Sequence, residues 1–345
     1  MHGKYVEMNG RDRFIAALRG EKRDRTPVYP LLMYFAAVRS GLTYREFASN
    51  GKALADAQMK VQAEFGLDCI SNCSDISRIT SALGGEVFFP ETTTPHLVRP
   101  LVTCEADIDK LGRPDPTDRG NRMGDRSLSV EEMKKGVGDA CAVSGWIDMP
   151  FAEACAACGL SEFMMMMFDN PKAAHKLLEK LTLICCDFAV AQAQAGADII
   201  GCGDAAASLI SHEQFLEFAL PYEQRVVVAV HNAGVYVKTH ICGNTTHLLT
   251  DIASNGGDLF NVDHLVDLEK AKEVYDSRGV AFKGNVDPVA GVLQATPEEC
   301  ERKCHQCMEI AGDSRYILSA GCEIPAEVSD EVFRAFCDSV KTCKK

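Results

Sequence analysis

Short apolar runs alternate with longer amphipathic segments along nearly the whole chain. Eight of the runs, at 26–33, 67–73, 140–146, 197–203, 235–242, 258–263, 280–286 and 315–320, read as strands. Most of the intervals between them carry helical periodicity, most clearly at 171–195 and 212–233. Eight βα units in one chain predict a TIM (β/α)8 barrel rather than an open doubly wound sheet. Two segments exceed a minimal barrel. Residues 1–24 read as an N-terminal helical extension, and about 74–136 as an insertion holding a hairpin ("GGEVFFPETTTPHLV") and a Pro- and Asp-rich loop. Insertions of that length wall in an active site or cover one end of a barrel. The whole of 1–345 reads as one domain.

Composition narrows the class of partner. With 46% hydrophobic and 25% charged residues the 345-residue chain has an ordinary globular balance, so one large core is affordable by size alone. A formal charge of -13 argues against a nucleic-acid or anionic-membrane surface, because both select basic faces. No apolar run approaches the roughly 18 residues of a membrane span, and "FMMMMF" at 163–168 is far shorter. The polar start "MHGKYVEMNGRDRF" lacks the apolar core of a signal peptide, so a cytoplasmic protein is expected. In that setting the 16 cysteines are reduced thiols, most of them small buried hydrophobes.

The candidate chemistry lies in "VKTHICGN" at the end of the fifth run. Residues two apart on a strand share a face, so His240 and Cys242 point one way, at the strand end where barrels place their active sites. Cys322, just past the eighth run in "LSAGCEIP", converges on the same mouth. Two thiolates and an imidazole form a zinc set with its fourth position open. Such a zinc is formally neutral and a weak Lewis acid, but it still deprotonates a bound thiol. The competing account makes all three core residues, which the spacing and the second Gly-Cys strand end disfavour. Lys238 shares the face of His240, so either it reaches into the mouth or the strand bulges.

At these residues the chain resembles the uroporphyrinogen decarboxylase superfamily and, within it, the zinc-dependent methyltransferases that use methylated corrinoid proteins, such as the coenzyme M methyltransferases of methylotrophic methanogens. The likeness runs from "RDRFIAALRGEKRDRTPV" through "GGEVFFP", "FDNPKAAHKLLEKL", "QAGADIIGCGDAAASLIS", "LPYEQRVV", "THICGN" and "GNVDP" to "LSAGCEIP". It implies His240, Cys242 and Cys322 as zinc ligands, a small coenzyme M-like thiol as acceptor, and a partner protein that presents the methyl group on a corrinoid. Similarity to the cobalamin-independent methionine synthases offers Asp263 or His264 as a fourth ligand, the other reading being a polar lining of the mouth. Asp204 is similar to a family aspartate near the pocket and is expected to orient substrate. Asn285 and Asp287 either line the seventh strand end or serve as turn residues. Two alternatives stand beside methyl transfer. One is a decarboxylase of the uroporphyrinogen type, whose carboxylate-gripping arginines are poorly represented apart from Arg39. The other is a non-catalytic zinc- or corrinoid-binding protein.

Two further cysteine patterns have structural explanations. Cys300, Cys304 and Cys307 spell the spacing of an iron–sulfur motif, but Thr296-Pro297-Glu298-Glu299 opens a helix that puts all three on one apolar face. Cys155 and Cys158 fall in a helix start without a thioredoxin-like context.

Overall fold

The computed structural model describes residues 8–343. Its strands are β1 (Cys69–Ser71), β2 (Val87–Phe88), β3 (His96–Leu97), β4 (Ala142–Asp148), β5 (Ile199–Gly203), β6 (Tyr236–His240), β7 (Leu259–Asn261), β8 (Ala281–Val286) and β9 (Tyr316–Ala320). Seven of them form one parallel sheet in the order β1-β4-β5-β6-β7-β8-β9, while β2 and β3 make a separate antiparallel hairpin. Residues 27–31 close the sheet into a barrel. The Leu318 amide donates to the Pro27 carbonyl (2.8 Å), Tyr29 to Leu318 (3.0 Å), and Asp68 to Val28 (3.0 Å). This eighth segment makes two isolated bridges rather than the full strand expected over 26–33. The reason is local: Pro27 and Pro30 bring no N–H to a ladder.

Aspartates placed just before three strands fasten neighbouring strands together. Asp68 accepts the Val28 amide (2.8 Å), Asp198 the Val143 amide (3.0 Å) and Asp258 the Val237 amide (2.8 Å). Asp68 also holds Arg13 at 2.5 Å and Arg25 at 2.7 Å, which satisfies a buried carboxylate on several sides. Arg13 belongs to the helix Gly10–Arg19, whose Phe14, Ala17 and Leu18 pack on Cys69, Ile199, Leu259 and Ile317 and plug the N-terminal end of the barrel. The rest of the expected extension, residues 1–7, lies outside the described residues.

The helix Arg122–Val137 packs on Gly51–Phe65 and on β4, so it belongs to the outer ring of the barrel. The inserted stretch therefore ends near residue 121 instead of 136. The periodic segment 212–233 is a short α-helical turn, a wider π turn over Phe215–Ala219, and the helix Leu220–Asn232. Pro221 lacks the N–H for an α-helical bond to residue 217, and the wider turn absorbs the defect. Among the described residues no single helix is long and apolar enough to cross a membrane.

Candidate metal centre at the barrel mouth

Strand alternation on β6 sends Lys238 and His240 to the barrel interior and Thr239 outward, where its hydroxyl accepts from Asn255 at 2.9 Å. Cys242 continues the inward series past the strand end. His240 Nε2 lies 2.9 Å from Cys242 Sγ and 3.9 Å from Cys322 Sγ, and the two sulfurs are 3.4 Å apart. Three residues separated by up to 82 positions in sequence thus aim their ligand atoms at one point. His240 is buried, whereas both cysteines are partly open to the mouth.

Cys322 reaches this point because Gly321 lets two chain segments touch. A Cβ on Gly321 would stand 2.4 Å from the His264 amide nitrogen, so only glycine passes there. Asn261 secures the crossing by donating to the Gly321 carbonyl at 2.8 Å. The thiol pair has an uneven proton affinity. The contact with Cys242, then His240, lowers the Cys322 thiol, while the same contact and burial push the Cys242 thiol up.

The fourth-ligand candidates have other duties. Asp263 accepts the Gly243 amide with Oδ2 and the Leu265 amide with Oδ1, both at 2.9 Å, so it ties the loop after Cys242 to the loop after β7. His264 turns its ring toward Asp263 Oδ1 (3.2 Å) and Asp287 Oδ2 (3.9 Å). Neither joins the three-residue cluster, the group among the described residues that could hold a metal ion. Asn285 donates to the carbonyls of Asp263 and Val266, and Asp287 caps the amides of Val289 and Ala290, so both serve the loops.

Asp204 departs from its expected place. It is fully buried and lies against Glu223 of the flanking helix Leu220–Asn232. Burial first, then the Glu223 charge, pushes its carboxyl well above the usual range. The pair retains a proton. Arg39 is likewise committed, bonded to Asp330 (2.9 Å) and to the carbonyls of Ala326 and Val328.

The β6 question resolves without a bulge. Lys238 is wholly buried inside the barrel, its Nζ 3.1 Å from the Tyr29 hydroxyl and 4.3 Å from the centre of the Trp146 ring. Burial pulls it down to about 8. A second interior lysine, Lys283, lies on β8, its direction set by the same inward alternation within "AFKGN". Trp146 also stands beside His240, ring centres 6.0 Å apart. The other cysteine patterns are structural: Cys300, Cys304 and Cys307 line the buried face of the helix Pro297–Ala311, and Cys155 and Cys158 lie buried in Pro150–Cys158.

The uroporphyrinogen decarboxylase (URO-D) family model matches residues 9–343. The chain belongs to this family. It is 27% identical over 347 residues to the uroporphyrinogen decarboxylase of Chloroherpeton thalassium, covering 96% of each. To that of Chlorobium phaeovibrioides it is 29% identical over 348 residues, covering 96% of this chain and 97% of the relative. Among solved structures, a methyltransferase from Methanosarcina mazei superposes with a TM-score of 0.88 at 21% identity, covering 97% of this chain and 99% of that one. A B12-independent methionine synthase from Shewanella sp. W3-18-1 gives 0.57 at 12% identity, over 84% and 85%. The URO-D chain is thus an enzyme of this superfamily on a TIM-barrel fold.

Proposed function

We propose that this URO-D family enzyme is a zinc-dependent methyltransferase, moving a methyl group between a corrinoid carried by a partner protein and a small thiol of the coenzyme M type. The observation that carries the reading is the convergence of His240, Cys242 and Cys322 within 4.8 Å at the barrel mouth. Ligand atoms around a tetrahedral zinc stand roughly 3.5–3.8 Å apart for bonds of about 2.0–2.3 Å. The observed 2.9–3.9 Å spacings fit that with small side-chain adjustments. Zinc bound there supplies a lowered pKa for an incoming thiol, making it a nucleophile toward an electrophilic methyl group. The chain's own contribution is positional. Asp263, Asn261 and Gly321 fix the two loops that carry the cysteines, and the partly open sulfurs leave the thiol an approach from the mouth.

The curated relatives' names favour a decarboxylase acting on uroporphyrinogen. A polycarboxylate substrate needs cationic groups free to receive it. Arg78 is wholly buried against Asp148, Arg122 holds Asp75 with two bonds (2.6 and 2.7 Å), and Arg39 is spent on Asp330. Those pairings leave these three arginines engaged within the chain. Purified protein is expected to contain about one zinc per chain and to transfer methyl groups from a methylated corrinoid to coenzyme M. Cys242→Ala should abolish both while the barrel stays folded by circular dichroism. Metal-free wild type, or transfer untouched by the substitution, rejects the reading. Zinc without turnover points to a carrier, and turnover of uroporphyrinogen to the decarboxylase.

A further inference from the structure

One nitrogen of the His240 ring has neighbours to work with and the other has none. Nε2 faces the sulfurs, 2.9 Å from Cys242 Sγ and 3.9 Å from Cys322 Sγ. Nδ1 is buried and meets no hydrogen-bonding group among the described residues. A ligating imidazole normally gives its second N–H to an acceptor, which fixes the tautomer and the ring orientation.

The sheet register limits which side chain can serve Nδ1. His240 stands between Gly203 on β5 and Asn261 on β7. Gly203 has no side chain, and Asp148, which leans over it, is held by Arg78 and the Trp146 indole. Asn261 is buried, and its Nδ2 donates to the Gly321 carbonyl at 2.8 Å. That bond orients the amide, because a carbonyl accepts only from the nitrogen end. The other end, Oδ1, is buried without a partner. Lys283 on its far side donates instead to the Tyr29 carbonyl at 2.7 Å. An unpartnered buried acceptor therefore stands on the strand next to an unpartnered buried ring nitrogen, and leaving both unsatisfied is destabilising.

We propose that Asn261 is a positioning residue that joins two members of the cluster. Its Nδ2 holds the Gly321–Cys322 segment, and its Oδ1 receives the Nδ1–H of His240, directly or across one water. A proton kept on Nδ1 leaves the Nε2 lone pair turned toward the sulfurs, the form of the ring that binds a cation. The hydrogen bond stands without a metal, and its effect on metal affinity rests on the zinc methyltransferase reading.

The His240 ring is followed by nitrogen-edited NMR of labelled wild type, Asn261→Leu and Asn261→Asp, with His240→Gln to identify its signals. In metal-free wild type Nδ1 should carry a proton; a bare Nδ1 overturns the proposal whatever the variants do. In zinc-loaded wild type that proton should resonate downfield, as hydrogen-bonded protons do. In Asn261→Leu it should move upfield, and zinc affinity should fall about 10- to 100-fold. Asn261→Asp keeps an oxygen for Nδ1 and gives up the donor to Gly321. It should keep the downfield proton and bind zinc about fivefold or more tighter than the leucine variant. Equal zinc affinity in the two variants confines Asn261 to the Gly321 crossing and overturns the link to His240. A proton that shifts in Asp148→Asn but not in Asn261→Leu overturns it as well. A wild type that binds no zinc overturns the zinc reading, and the metal-free spectrum still decides the hydrogen bond.

Discussion

At the residue scale, one hydrogen atom decides whether Cys322 can meet its partners. Gly321 has the Asp263–His264 backbone where its own side chain would be, with the His264 nitrogen at 2.4 Å from an ideal Cβ. Gly321→Ala must push the 321–322 segment off that backbone and carry the Cys322 sulfur with it. Metal affinity is expected to fall at least tenfold, with about 1–3 kcal/mol of stability lost to overpacking; zinc competition with a chromophoric chelator measures the first and urea unfolding the second. Affinity equal to wild type would show that the segment relaxes elsewhere. The inward direction of His240 and Cys242 was legible, since a period of two along "VKTHICG" fixes which side chains look inward. Asp204 was not, because alternation ends where β5 passes into a turn and its partner Glu223 comes from a separate helix. Lys238 was legible in direction but not in surroundings, as Tyr29 lies 209 positions away.

The elements owe their arrangement to groups at the opposite end from the chemistry. Asp68, Asp198 and Asp258 each clamp the N–H of an adjacent strand, and Asp68 adds Arg25 and Arg13, the latter binding the plugging helix to the barrel. Asp68→Asn keeps the shape and removes the charge, leaving the buried Arg13 with Asp24 alone, at 2.6 and 2.7 Å. The expected loss is about 3 kcal/mol of unfolding free energy, read from urea midpoints; a change under about 0.5 kcal/mol would mean Asp24 alone satisfies Arg13. Element types were legible from hydrophobic period, and the parallel order from their number. Strand extent was not: the 26–33 run has the composition of a strand, but its prolines reduce it to two bridges. The helix Arg122–Val137 was read as part of the insertion since most of its residues are polar or charged, and its burial depends on Gly51–Phe65.

For the whole molecule, buried carboxyl groups set how stability follows pH. Asp204 and Glu223 titrate above their unfolded values, so the folded chain holds a proton that the unfolded chain releases above about pH 4. Stability from this pair is therefore complete at acid pH and declines as pH rises toward the folded value. Asp75, held down to about 2 by Arg122, acts oppositely and costs stability only as pH falls below about 4. Asp204→Asn should be more stable than wild type by about 2 kcal/mol at pH 8, with the advantage shrinking toward pH 5. Guanidinium unfolding at both pH values checks this, and an advantage that grew on acidification would sink it. The same substitution should leave metal content unchanged, since Asp204 is not one of the three clustered residues. One further property of the assembled barrel comes from composition meeting geometry. The chain has a single tryptophan, and Trp146 is wedged between the imidazole of His240 and the ammonium of Lys238. Its fluorescence therefore originates at one address, so a cation, a thiol or a docking protein that disturbs the mouth writes its own binding curve in unlabelled protein.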